Sequence, residues 1–354
     1  MALTEISQLR SEVDRELSQF ANQQSRDLHA IGSELIPVAE AMSRFIIDGG
    51  KRFRPIFAFL GYLGAGGTES SQIIRACSAL ELVHVCALMH DDVMDGSDTR
   101  RNNPAIHRYF ETLHRDSKYH GDAEKFGVAA AILLGDLALV WADRMLIESG
   151  INDHQLVSAL PLFTEMREEL MAGQYLDVLE GALAKANIDR SLKIARYKSG
   201  KYSIERPLHF GAALAGASAN LLASYSEYGL PLGEAFQLRD DLLGVFGDPL
   251  VTGKPAGDDL REGKRTVLIA MTFESATSEA RIRLEKSLGR SNLSLDEVNS
   301  LREIITESGA VSRCEQLITE LRDRALLALQ DSQISPTIRP MLEEMAHSAT
   351  TRKL

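Results

Sequence analysis

"ALMHDDVMDGSDTRR" runs from Ala87 to Arg101 and closes an apolar stretch whose hydrophobic residues recur at helical spacing. If the helix around residues 70–95 continues to Asp95, then Asp91 and Asp95 share one face, with Cβ atoms ~5–6 Å apart. Carboxylates at that end of a helix oppose the negative pole of the macrodipole, so they cost stability unless a cation offsets them. A hard divalent cation such as Mg²⁺ takes one or two carboxylates and completes its shell with phosphate and water. Arg100 and Arg101, just beyond the acids, have the planar fork that suits phosphate. A solvated last turn is the bland reading of a lone DDxxD. The adjoining arginines favour a site where metal and phosphate meet.

Outward from this stretch the same periodicity dominates. Leu3, Ile6, Leu9, Val13, Leu17 and Phe20 recur every three or four residues, as one face of a helix requires. Similar patterns occupy about 34–48, 70–95, 124–148, 152–180, 206–225, 228–246, 294–308 and 310–331. Glycines punctuate them at Gly49-Gly50, Gly64 to Gly67, Gly150 and Gly309. Alternating strand patterns are scarce, and neither a repeat nor a Pro/Ser-rich linker divides the chain. The expectation is an all-α fold in a single domain over residues 1–354, larger than a four-helix bundle.

Composition narrows the function. Thirty-nine basic residues against 50 acidic ones leave a net charge of -11, which repels nucleic acid and anionic lipid. An anionic substrate therefore needs a local basic patch or a cation bound with it. The most apolar stretches, Val128–Ala142 and Leu208–Ala223, are interrupted by Asp136 and by Ser218 and Asn220. They read as buried helices that fall short of a membrane span, so no stable membrane insertion is expected. Cys77, Cys86 and Cys314 are scattered and odd in number, which suggests reduced thiols. The acidic, amphipathic N-terminus has no signal core, and the expected location is cytoplasmic.

A second acid pair, Asp240 and Asp241, lies in "FQLRDDLLGVFGD" (Phe236–Asp248), again after an apolar helical pattern. Pro249 suggests that this helix is ending before Asp248. Basic residues form a third set. "GGKRFRP" (Gly49–Pro55) carries Lys51, Arg52 and Arg54 after a flexible glycine pair, which suits a diphosphate. "YKSGK" supplies Lys198 and Lys201, and "GKPAGDDLREGKRT" supplies Lys254 and Lys264. Each alone reads as a solvated loop; together with two acid pairs they point to phosphate. Among single residues, His84 reads first as a core histidine and second as a phosphate contact. Gln174 and Asp177 read as a partly buried polar pair, Asp136 as a hydrogen-bonded interior acid, and Trp141 as core.

In this order, "GGKRFRP", "LMHDDVMD", "RR" before "NPAIH", "GQYLD", "YKSG", "FQLRDD" and "GKPAGDDLREGKRT" resemble the motifs of the trans-isoprenyl diphosphate synthases, or polyprenyl synthetases. The resemblance runs from about residue 35 to 270 and is closest to the bacterial geranylgeranyl type. It implies an all-α bundle with a deep central cavity, the two aspartate motifs facing each other at its mouth. By the same resemblance Asp91, Asp95 and Asp240 bind about three Mg²⁺ on an allylic diphosphate. Arg100, Lys198, Gln237 and Lys254 then hold that diphosphate or the incipient cation. Lys51, Arg54, His84 and Arg101 hold isopentenyl diphosphate, with Ser199 and Lys264 in the same motifs. A homodimer is implied by the family alone.

The sequence departs from the family pattern in three places. Gly244 stands where many relatives carry a third aspartate of the second motif. "RRNNP" replaces the usual "RRGxP", and Ser199 replaces a threonine while keeping the hydroxyl. Product length is read one helical turn at a time, ~5.4 Å each, back from Asp91. Small residues at Cys86 and Ala87, with Val83 and Leu80 deeper and Trp141 as a further candidate floor, favour geranylgeranyl diphosphate. Farnesyl or longer products are the alternatives. A class I terpene cyclase would lack Lys51, Arg54 and the second acid pair, and a non-catalytic partner subunit would be expected to lose one acid motif or its basic partners.

Overall fold

Leu9, Val13, Leu17 and Phe20 are buried along one face of helix α1 (Ile6–Ile31), as their spacing requires. This computed structural model describes residues 5–183, 185–249, 255–330 and 332–351. Its internal contacts fall into two compact units. The first comprises residues up to Leu160 with Phe210–Gly216, and the second comprises Pro161–His209 with Ala217 onward.

In the first unit α1 packs on α2 (Ile36–Ile47), followed by α3 (Phe53–Gly64) and α4 (Ser71–Asp95). A two-stranded antiparallel hairpin, β1 (Thr99–Arg100) with β2 (Asn103–Pro104), leads to α5 (Ile106–Asp116) and α6 (Ala123–Ile147). Among the described residues these are the only paired strands. Both α4 and α5 pack on α6. A Cβ on Gly127 of α6 would lie 2.1 Å from the His107 carbonyl oxygen, so the glycine lets the two helices touch backbone to side-chain space. Trp141 meets Phe20 edge-on at 6.1 Å, and Arg144 Nη1 donates to Gln24 at 2.9 Å, which ties α6 to α1.

Helix α7 (Asp153–Leu183) crosses from one unit into the next at Pro161. The second unit continues with α8 (Ile188–Ile194), an eleven-residue π-helix (Ala195–Glu205) and the start of α9 (Arg206–Leu214). Helix α10 (Ala219–Phe246) packs on the π-helix on one side and on α15 (Ala310–Gln330) on another. Between them in the chain come α11 (Asp258–Glu262), α12 (Val267–Ser275), α13 (Ser278–Ser287) and α14 (Leu295–Glu307), and α16 (Arg339–Thr350) follows. Leu238, Leu242, Val245, Leu260, Leu268, Ile305 and Cys314 form the core of this unit.

The all-α class stands, and Gly49, Gly50, Gly66, Gly150 and Gly309 all take positive φ at helix breaks. The helices expected at 206–225 and 228–246 are divided elsewhere. Gly216, with φ +75°, follows the end of α9, and the Ser218 side chain accepts from Leu221 N to start α10. Helix α10 then runs unbroken through Pro231. Asp136 is not an interior acid. It stands exposed on α6 beside Ile132, Leu133, Val140 and Ile147, which are exposed too, with its Oδ1 3.7 Å from His90 Nε2. By length and composition alone α4 and α6 would reach across a membrane, α6 where Val128–Ala142 was expected to fall short, and α4 is largely buried within its unit. The cysteines are free and buried, as expected.

Candidate active site

Helix α4 begins at a Ser70 cap that accepts from Ile73 N, and ends at Gly96 in the left-handed region. Its last turn carries Asp91, Asp92 and Asp95. Asp92, wholly buried, accepts from Arg100 Nε at 2.9 Å, and Arg100 Nη2 lies 3.8 Å from Asp91 Oδ2. The central acid of the motif therefore orients Arg100, while Asp91 and Asp95 on either side of it are partly exposed.

The hairpin explains the "RRNNP" departure. Arg101 and Asn102 occupy its two-residue turn with φ of 53° and 62°. A two-residue hairpin favours positive φ at both central positions, and asparagine accepts it with little strain. Asn102 thus does what glycine would do. The turn sends Arg101 back to the C-terminus of α2, where its Nη1 donates to the Asp48 carbonyl at 2.6 Å. A guanidinium there also complements the negative end of the helix dipole.

Arg52, in the left-handed region with φ 51°, starts α3 and is saturated inside the protein. Its Nε donates to Asp14 Oδ1 and its Nη1 to Glu81 Oε1, each at 2.8 Å, while Nη2 reaches the Ile46 carbonyl at 2.9 Å. Neighbouring Lys51 is exposed and Arg54 is buried. Arg52 is the structural member of "GGKRFRP", its guanidinium spent on Asp14, Glu81 and the Ile46 carbonyl. Burial and the charges of Arg54, Arg101, Arg100 and Arg52 hold His84 well below the usual imidazole value. A neutral imidazole among four guanidinium groups is an anion-attracting environment. Asp14, Glu81 and Asp92 escaped the sequence reading as site residues. Glu81 and Asp92 lie on α4, and only their arginine partners, Arg52 and Arg100, reveal what they do.

The second unit gathers another set. A Cβ on Gly173 of α7 would lie 2.3 Å from Lys198 N, and one on Gly233 of α10 would lie 2.5 Å from the Gly200 carbonyl oxygen. The π-helix that carries Lys198 and Ser199 is clasped between these glycine positions. Lys198 Nζ donates to Asp177 Oδ2 at 2.6 Å, and Gln174 and Asp177 are both partly buried, as expected. Lys201 lies outside this set and pairs with Glu169.

On α10, Gln237 Nε2 donates to Asp241 Oδ1 at 2.7 Å. Burial first, then the carboxylates of Asp259, Asp240 and Asp177, push Asp241 up to about 8. The Asp259 carboxyl fills the space beside Gly244, and Lys264 Nζ lies 3.8 Å from its Oδ1 and 2.7 Å from Glu262 Oε2. Lys254 lies outside the described residues. On α4, Cys86 and Val83 are buried and Ala87 is partly exposed. Among the described residues no three His, Cys, Asp or Glu side chains converge as a ready metal cage.

An all-α chain that sets acids beside a guanidinium cluster, and further acids beside a lysine, is organised for phosphorylated substrates. The chain belongs to the polyprenyl synthetase family, whose model matches residues 37–305. It is 33% identical over 279 residues to the geranylfarnesyl diphosphate synthase of Aeropyrum pernix, covering 78% of this chain and 81% of that one. It is also 33% identical over 263 residues to the (2E,6E)-farnesyl diphosphate synthase of Mycobacterium tuberculosis, covering 73% and 68%. The crystal structure of geranylgeranyl pyrophosphate synthase from Corynebacterium glutamicum, complexed with isoprenyl diphosphate and magnesium, matches with a TM-score of 0.95. That pair is 39% identical, over 99% of this chain and 100% of that one.

Proposed function

We propose that this chain is a Mg²⁺-dependent prenyltransferase that condenses isopentenyl diphosphate with an allylic diphosphate and makes geranylgeranyl diphosphate. The observation that carries the reading is neutral His84, ringed by Arg52, Arg54, Arg100 and Arg101 on the helix that ends in Asp91 and Asp95. One unit thus sets a group of guanidinium charges around His84 and, two turns along the same helix, carboxylate oxygens. The donor set fits Mg²⁺. Burial first, and then the carboxylates of Asp259, Asp240 and Asp177, raise buried Asp241, and a divalent cation beside these acids would offset their negative charge. A pre-formed cage is unnecessary, because Mg²⁺ completes its shell with substrate phosphate.

In this reading Asp91, Asp95 and Asp240 would hold about three Mg²⁺, whose positive charge would favour departure of the diphosphate. Lys51, Arg54, His84 and Arg101 position isopentenyl diphosphate, His84 as a neutral hydrogen-bonding group. Arg100, Lys198, Gln237 and Lys254 hold the allylic diphosphate or face the cation formed as the C–O bond breaks, with Ser199 and Lys264 alongside. Fixed charges aimed at the leaving group lower that barrier without reorganising. Aliphatic walls exclude water, which would quench the cation. The isopentenyl double bond attacks, and the released diphosphate takes the proton then lost. Residues 1–354 are read as one catalytic domain. The small side chains of Cys86 and Ala87, with Val83 behind, leave room for a longer product than farnesyl.

The chain works in the cytoplasm as a homodimer. Free buried cysteines support the first statement, and the exposed apolar stripe of α6 supports the second. Purified protein with Mg²⁺, isopentenyl diphosphate and each allylic starter should yield the twenty-carbon diphosphate by chromatography. Recovery of unreacted starters under every condition would overturn the assignment.

A further inference from the structure

Arg239 stands immediately before Asp240 in "FQLRDD", and the chemistry proposed above does not use it. Its side chain is buried, and each of its three guanidinium nitrogens donates to a helix later in the chain. Nη1 and Nη2 take the two carboxylate oxygens of Glu315 on α15, at 2.7 and 2.6 Å. Nε donates to the Thr350 carbonyl at 2.8 Å. Thr350 is the last residue of α16, so that carbonyl has no partner in its own helix. A guanidinium there satisfies it and complements the negative end of the helix dipole. Both helices lie beyond residue 305, where the match to the family model ends.

Helix α10 has a reason to need this hold. Pro231 inside it has no N–H to give the Glu227 carbonyl, so the turns after it are tied less firmly to those before. Polar ties to α16 lie on both sides of that gap. Before it, Tyr228 Oη donates to the Leu342 carbonyl at 2.7 Å; after it, Arg239 reaches Thr350. Leu238 and Leu242 are buried in the core beside Arg239, but apolar contact is non-directional. A two-pronged ion pair with a third hydrogen bond sets the rotation of the helix as well as its depth. Asp240, next along the backbone, turns with it.

We propose that Arg239 is a positioning residue for the second acid pair, through which α15 and α16 set the rotation of α10 at which Asp240 meets the metal and diphosphate. The inference rests on the function proposed above. It gives two helices outside the family match a share in the site. Spent on Glu315 and Thr350, Arg239 acts through its neighbour and not on the substrate. Loss of outer support of this kind commonly moves metal affinity by ~10–100-fold.

Calorimetric titration of Mg²⁺ into the full-length protein with inorganic pyrophosphate should show Arg239→Met and Glu315→Ala each weakened about tenfold. The double variant should be no weaker than Arg239→Met alone, because the same tie is already broken. Tyr228→Phe removes the tie between α10 and α16 on the far side of Pro231. It should lower the thermal midpoint yet titrate like the parent, which separates positioning from general loosening of the two helices. In steady-state kinetics the Arg239 and Glu315 variants should need more Mg²⁺ while keeping the parent KM for isopentenyl diphosphate. If Arg239→Met misfolds, Arg239→Lys takes its place, since it keeps the charge and loses the fork. Parent-like titrations of the Arg239 and Glu315 variants, or a Tyr228→Phe weakened as much as they are, would overturn the proposal. Turnover of the parent is measured in parallel. Its absence strikes the functional reading, whereas an active parent with unaltered variants strikes only the role of Arg239.

Discussion

Arg52 and Glu81 form an ion pair at 2.8 Å in which both side chains are almost wholly buried, at 1% and 2% exposure. The pair joins the start of α3 to the middle of α4, the two helices that present Lys51, Arg54 and His84. Removing one partner from a buried pair leaves the other charge uncompensated, at a cost of ~3–5 kcal/mol. Arg52→Ala should lose about that much in urea unfolding. Arg52→Lys should rescue little, because lysine lacks the fork that serves Asp14, Glu81 and the Ile46 carbonyl together. Exposed Lys51→Ala should leave stability within ~0.5 kcal/mol and instead raise KM for isopentenyl diphosphate. Equal stability of Arg52→Ala and the parent would sink the structural role assigned to Arg52.

Gly173 touches the backbone of the residue that carries Lys198. A methyl group there has no flexible neighbour to displace, since the nearest atoms are Lys198 N and the Tyr197 carbonyl carbon. Overpacking of this kind typically costs ~1–3 kcal/mol. Gly173→Ala should therefore lower stability and also kcat, by shifting the lysine away from Asp177. A variant with reduced stability but unchanged kcat would show that the contact does not position Lys198.

Much of this was legible in the sequence, and the exceptions have physical causes. The glycine breaks and the acids at the ends of α4 and α10 follow from local chemistry, which a linear pattern records. Asp136 was misplaced because an acid within an apolar run looks buried until one knows that a whole face of α6 is uncovered. The π-helix left no periodic trace. It depends on Gly173, Gly200 and Gly233 letting three backbones approach, and residues so far apart in the chain do not show that they meet. Glu81 and Asp259 were invisible for the same reason, and so was the tie from Asp177 to Lys198, since each is defined by a partner distant in sequence.

His209 supplies a pH test away from the proposed chemistry. It is buried, accepts at Nδ1 from Arg206 Nη1 at 3.3 Å, and donates from Nε2 to the Leu222 carbonyl at 3.0 Å. Lys201, Glu165, Glu205 and Ser226 surround the same pocket. Burial, then Arg206, push its value down from the ordinary 6.5 to about 4. The unfolded chain therefore takes up a proton below pH 6.5 that the folded chain refuses until about 4. The stabilisation is complete above 6.5 and is lost as pH falls through that window, by ~3 kcal/mol in all. In urea unfolding at pH 7, 6 and 5 the parent should weaken more steeply than His209→Gln; parallel slopes would refute the assignment.

The uncovered stripe of α6 predicts a second copy of this chain as its cover. Leu133, Val140 and Ile147 recur every seven residues and are each more than half exposed. Leu133→Glu with Val140→Glu should convert a dimer to a monomer by light scattering. A parent that is already monomeric at assay concentration removes this interface.

Ala87 and Cys86 are adjacent but do not share an environment, and this separates their effects on product length. Cys86 Sγ lies 3.8 Å from His90 Nδ1, whose ring in turn meets the Ile132 carbonyl on α6 at 3.0 Å, so this position looks into packed protein. Ala87 is rotated by one residue, about 100° around the helix, and is partly exposed one turn before Asp91. A phenylalanine at 87 has room to intrude where a growing chain would pass. Ala87→Phe should shift the main product from twenty carbons to fifteen with little loss of stability. Cys86→Phe should instead cost ~1–3 kcal/mol through overpacking against α6, whatever it does to length. Product chromatography and thermal melts of both variants decide the matter: an unaltered product distribution from Ala87→Phe means that this face of α4 does not line the path of the prenyl chain.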